Sequence, residues 1–126
     1  MAKILVIDDD AAIRRMLVRI LTTAGHSVME APDGREGIEL LHASQTKVVI
    51  TDIIMPRQEG IETILEIRRE APAVRIIAMS GSSQNSGMSY LDFAAKLGAH
   101  AVLAKPFRAS ALLDAVAEVL SSQGDQ

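Results

Sequence analysis

The run "KVVITD" is apolar until it stops at Asp52, and an ionised carboxylate buried without partners is costly. A second apolar run, "KILVI", ends against Asp8, Asp9 and Asp10. Ser80 closes "VRIIAMS", and Lys105 follows "AHAVLA". Carboxylates held close together repel at neutral pH, so one must protonate or a cation must neutralise the group. An oxygen-only set favours a hard cation, and a few carboxylates plus water suit magnesium. A carboxylate is also a nucleophile able to form an aspartyl phosphate. Phosphoryl transfer mainly requires charge neutralisation and alignment. Lys105 could pair with one phosphoryl oxygen, and the Ser80 hydroxyl could donate to another. These residue types match one task, an aspartate that accepts a phosphoryl group.

The task requires the four groups to meet, so the elements between them matter. Strand-like and helix-like segments alternate along the chain. Residues 3–8, 26–31, 47–52, 74–80 and 99–104 read as short strands. Ile13, Met16, Leu17, Ile20 and Leu21 repeat at helical spacing, and Gly25 is a natural stop. Asp33 is a possible cap for a second helix, Pro72 ends a third over 60–71, and Gly98 ends a fourth over 89–98. Leu112, Leu113, Val116, Val119 and Leu120 form one face of the last. Such alternation predicts an α/β fold, with a doubly wound parallel sheet between helix layers. Sites in these sheets lie beyond the carboxyl ends of the strands. All the candidate groups fall there.

The 126 residues suit one domain, with 48% hydrophobic and 23% charged residues. A net charge of −3 and the absence of a basic stripe argue against direct nucleic-acid binding. No cysteine is present, which removes disulfides and thiolate zinc sites. No apolar run approaches a membrane span, and the N-terminus does not read as a signal peptide. A cytoplasmic protein is expected.

Four stretches in this order, "ILVIDDD", "VVITDIIMP", "IIAMSG" and "AKPF", resemble those of the receiver domain of bacterial response regulators, over essentially the whole chain. The resemblance implies a stand-alone receiver domain over residues 1–120 and a polar tail over 121–126. It implies the flavodoxin-like fold, a five-stranded parallel sheet in the order 2-1-3-4-5. It also implies phosphorelay signalling in a two-component system. A sensor histidine kinase or histidine phosphotransfer protein would pass a phosphoryl group to Asp52, changing contacts with a downstream protein. The chain would not be an enzyme acting on an outside substrate, although it would help catalyse its own phosphorylation and dephosphorylation. By the same resemblance, Asp8, Asp9, Asp52 and the backbone carbonyl of Ile54 would hold Mg2+. Ser80 would be the switch hydroxyl and Lys105 the phosphate-pairing lysine, with a cis bond between Lys105 and Pro106.

Two features depart from the family. Val102 stands where an aromatic residue is usual in strand five. The interval from Ser80 to Lys105 is a few residues longer than is common. The loop 81–89, small, polar and glycine-containing, is therefore expected to carry the replacement switch.

Other readings remain open. A phosphatase resembling the haloacid dehalogenase superfamily would use Asp8 and Asp10, but leaves Asp52 unexplained. A flavin or nucleotide binder would need a phosphate-cradling loop after strand one, where this chain is acidic. A degenerate receiver would act only as a binding module. Singly, Asp10 reads as a helix cap. Arg14, Arg15 and Arg19 read as a solvated face, and His26, His42 and His100 as surface or strand-edge residues without metal-ligand spacing.

Overall fold

A computed structural model describes residues 2–53, 59–80 and 96–123, without the side chains of Glu59, Ser122 and Gln123. The strands are β1 (Lys3–Ile7), β2 (Ser27–Ala31), β3 (Val48–Asp52), β4 (Arg75–Ser80) and β5 (Ala101–Ala104). The helices are α1 (Ala11–Thr23), α2 (Gly34–Ala43), α3 (Glu59–Glu70) and α4 (Ala109–Gln123). All strand pairs are parallel, in the order β2-β1-β3-β4-β5. This is the expected α/β doubly wound, flavodoxin-like order. The helix expected over 89–98 lies, except for its last residues, outside the described part of the chain.

Alternation along the strands explains the two layers. Ile4, Val6, Ile50, Ile77 and Met79 point to one face and pack with Leu17, Leu21, Leu112, Val116 and Val119. Leu5, Ile7, Val49, Ile76 and Ala78 point to the other and pack with Leu41, Ile64 and Ile67. A sheet covered on both faces needs such continuous apolar strands, and every residue of β3 is buried. Each fully buried aliphatic side chain contributes roughly 1.5–3 kcal/mol relative to exposure. Met16 departs from its expected face: it lies at the margin of the α1 stripe and is 43% exposed.

Helix ends follow from local chemistry. Asp10 caps α1, accepting from the amides of Ala12 (2.9 Å) and Ile13 (3.2 Å). Asp33 caps α2 through the Glu36 amide. Gly25, at φ +100°, lets the chain reverse after α1 into β2. The Lys105–Pro106 bond is cis. Among the described residues, no helix is long and apolar enough to cross a membrane.

Two histidines are more than surface residues. His26 Nδ1 accepts from the Ala2 amide (3.1 Å), and His100 Nδ1 accepts from the Ile76 amide (3.0 Å). Both bonds need an unprotonated Nδ1. Burial pushes both pKa values down, and for His100 the charges of Arg75 and Arg68 add to this. A depressed folded pKa gives stability that is complete above the unfolded value, about 6.5, and lost as pH falls through the folded value. We therefore expect stability to the denaturant urea to fall as the pH drops from neutral to mildly acidic. His100→Asn, whose side-chain oxygen accepts without titrating, should show a shallower drop in the same unfolding series.

Candidate functional site

Parallel pairing in register brings the strand ends to a common rim. Ile7 pairs with Thr51, Asp52 with Met79, and Ser80 with Ala104. Backbone bonds extend the ladder past the strands: the Asp8 amide donates to the Ala31 carbonyl (3.2 Å), the Ile53 amide to Met79 (2.9 Å) and the Lys105 amide to Ser80 (2.8 Å). Asp8, Asp52, Ser80 and Lys105 are thus fixed by the backbone of the sheet rather than by free loops.

The side chains then converge. Lys105 Nζ donates to Asp52 Oδ2 at 2.8 Å and to Asp8 Oδ2 at 3.0 Å. Asp8 is fully buried and Asp52 nearly so, whereas Asp9 is exposed. Asp8 Oδ1 accepts from the Asp10 amide at 2.9 Å. Burial alone would lower the pKa of Lys105 and is the largest single influence on it. The hydrogen bonds and charges of Asp52 and Asp8 together outweigh it, so the pKa is raised and the ammonium is held charged.

One carboxylate oxygen from each of Asp8, Asp9 and Asp52 lies within 4.8 Å of the others. Around an octahedral magnesium ion adjacent ligands are about 3 Å apart and opposite ones about 4.2 Å, so these oxygens would draw together to share one ion. The single ammonium leaves the cluster net negative, and the donor set is all oxygen, which fits a hard divalent cation. Ile54, whose carbonyl the resemblance adds to this set, lies outside the described residues. The Ser80 hydroxyl oxygen is buried and has no hydrogen-bond partner among the described residues.

The sequence reading missed two residues. Gly60, in the first turn of α3, lies so close to β3 that a Cβ would overlap the Asp52 carbonyl oxygen and the Ile53 Cα. A glycine inside a helix, where it is a poor former, is the signal that could have found it. Arg14, read as part of a solvated stripe, donates from Nη1 to the Asp8 carbonyl oxygen (2.8 Å) and from Nε to Glu30 Oε1 (3.0 Å). Asp10, which a phosphatase would need as its acid–base, is occupied as the α1 cap.

Removing the ammonium would take away the charge that Asp8 and Asp52 share. The pair is largely but not fully shielded from water, with Lys105 15% exposed. Lys105→Met should therefore lower stability by about 2 kcal/mol in chelator-treated protein, between the values for exposed and buried pairs. Millimolar magnesium should restore most of this in the same denaturant titration.

Comparison with known proteins places this geometry. The response regulator receiver domain family matches residues 4–117. The chemotaxis protein CheY of Thermotoga maritima is 36% identical over 118 residues, covering 93% of this chain and 96% of that protein. The sensor kinase CckA of Brucella abortus is 32% identical over 124 residues, covering 97% of this chain but 13% of the kinase. The crystal structure of a receiver domain protein from Clostridium thermocellum superposes with a TM-score of 0.88 at 30% identity, covering 98% of each chain. Receiver domains are phosphoacceptors rather than conventional enzymes, phosphorylated by histidine kinases, and they bind Mg2+ at an acidic pocket. With this sheet order and this rim of acids, the chain belongs to the response regulator receiver domain family, whose work is phosphorelay signalling.

Proposed function

We propose that Asp52 is the phosphoacceptor, that Asp8 and Asp9 join it in holding Mg2+, that Lys105 pairs with the oxygens of the bound phosphoryl group and that Ser80 is the switch hydroxyl that donates to it. The observation that carries this reading is the pairing of one ammonium with both Asp52 and Asp8 beside a third carboxylate. A bound magnesium ion would neutralise charge on the acids and on the phosphoryl oxygens.

An Asp52 carboxylate oxygen attacks the phosphorus of a phosphohistidine on the donor. The phosphorus–nitrogen bond breaks, the imidazole leaves with the bonding electrons and takes up a proton, and an acyl phosphate remains on Asp52. Lys105 already sits 2.8 Å from Asp52 Oδ2, so its ammonium is in reach of the new phosphoryl oxygens. The Ser80 hydroxyl, buried and without a partner among the described residues, supplies a second donor. Both hydrogen bonds form to charge that the transfer brings in, which is where electrostatic stabilisation acts most. The same groups support self-catalysed hydrolysis by an incoming water.

The donor is a sensor histidine kinase or a histidine phosphotransfer protein in the cytoplasm. Ile13, Met16, Pro106 and Phe107 line an apolar hollow of about 290 Å³ against Lys105, which gives a donor surface a place to rest beside the acceptor. Output passes to a downstream protein by contact. Val102, 37% exposed on β5, stands in place of the aromatic usual in the family. The loop 81–89, expected to compensate, lies outside the described residues. The chain is read as a receiver domain over 1–120, with α4 continuing to Gln123.

Incubation with a small phosphodonor such as acetyl phosphate, followed by intact mass spectrometry, tests the reading. One phosphoryl group should add to the native chain, only with magnesium present, and none to Asp52→Asn. An adduct on both proteins would sink the assignment of Asp52. No adduct on either would favour a degenerate receiver.

A further inference from the structure

Asp8 is gripped at every polar atom it has. Its amide donates to Ala31, its Oδ1 accepts from the Asp10 amide and its Oδ2 from Lys105. Its carbonyl oxygen accepts from Arg14 Nη1 at 2.8 Å. The same guanidinium donates through Nε to Glu30 on β2 at 3.0 Å, and the Arg14 side chain is only 18% exposed. Arg14 itself stands on the first turn of α1, its amide bonded to the Asp10 carbonyl (3.0 Å). One side chain thus connects the helix, the neighbouring strand and the turn that carries the acids.

We infer that Arg14 is a positioning residue for the acidic cluster, setting the direction in which Asp8 and Asp9 present their carboxylates to a divalent cation. This rests on the reading of Asp8, Asp9 and Asp52 as the magnesium site. The Asp8 carbonyl belongs to the rigid, planar peptide unit that joins Asp8 to Asp9. Fixing its oxygen fixes that plane, and with it the exits of both side chains. Asp9 is exposed, so no surrounding core holds it in place. The guanidinium reaches the Asp8 carbonyl and Glu30 through two different nitrogens in one rigid plane, Nη1 and Nε, a geometry that the single nitrogen of a lysine at this position does not reproduce. Glu30 fixes the fork from the outside through a charge-assisted bond.

Charge alone predicts the opposite result, which makes the inference testable. Arg14 places a cation near a cation site, so if only its charge mattered, removing it would tighten magnesium binding. If it merely fastened α1 to the sheet, removing it would lower the melting temperature and leave affinity unchanged. As a positioning residue, its loss should weaken binding, and partners of metal ligands typically contribute about tenfold or more.

The experiment is calorimetric titration of the full chain with magnesium chloride, alongside thermal unfolding without metal. Arg14→Met should bind magnesium about tenfold more weakly than the native chain. Arg14→Lys, which keeps the charge and loses the fork, should also bind more weakly, by a smaller factor. Unchanged or tighter binding by Arg14→Met overturns the inference, whatever its melting temperature. If Arg14→Met does not fold, Arg14→Lys decides: affinity equal to native overturns the inference. Asp8→Asn serves as the control for the site itself. A native chain that binds magnesium no better than Asp8→Asn would overturn the site reading and the inference with it. Native binding that survives in the Arg14 variants would overturn the inference alone.

Discussion

Two carboxylates, Asp8 and Asp52, share one ammonium, Lys105, at the carboxyl edge of a parallel sheet. Like charges this close and this buried do not coexist without a counter-charge, so the arrangement depends on the strands delivering all three together. The register does so. β1 and β3 are neighbours, which sets Asp8 beside Asp52, and β5 lies beyond β4, from where the Lys105 side chain spans back. A slip of one residue in any strand would turn each of its side chains to the other face and separate the charges.

The apolar layers hold that register. β1, β3 and β4 alternate between two cores, one under α1 and α4 and the other under α2 and α3. The polar rim is therefore built at the boundary of a close-packed interior, where electrostatic interactions are stronger than in water. Gly60 shows how tight that boundary is, since α3 starts against the backbone of Asp52 and Ile53 with no room for a Cβ. Arg14 makes the corresponding tie on the other side, between α1 and the Asp8 carbonyl.

Much of this was legible in the residues. Apolar runs ending in Asp8, Asp52, Ser80 and Lys105 are strand ends, and βα alternation turns strand ends into a shared rim. The caps Asp10 and Asp33 and the stop at Gly25 were equally readable, because each depends only on local backbone chemistry. What escaped depends on distant partners. Arg14 looks like any exposed arginine until β2 brings Glu30 beside it. His26 and His100 carry no metal spacing, and only the fold reveals that each accepts a backbone amide. Met16 fits the helix periodicity yet is 43% exposed, beside Pro106 and Phe107 at the edge of the surface that α1 covers.

The central claim is that Asp52, and not another acid of the cluster, carries the phosphoryl group. An acyl phosphate is a mixed anhydride, which borohydride reduces to an alcohol, while phosphate esters and unmodified carboxylates do not react. Phosphorylating the chain, reducing it and fragmenting its peptides by mass spectrometry reads the position directly. The account predicts homoserine at position 52 and nowhere else. Homoserine at position 8 or 9, or a phosphoryl group that resists reduction, would contradict it.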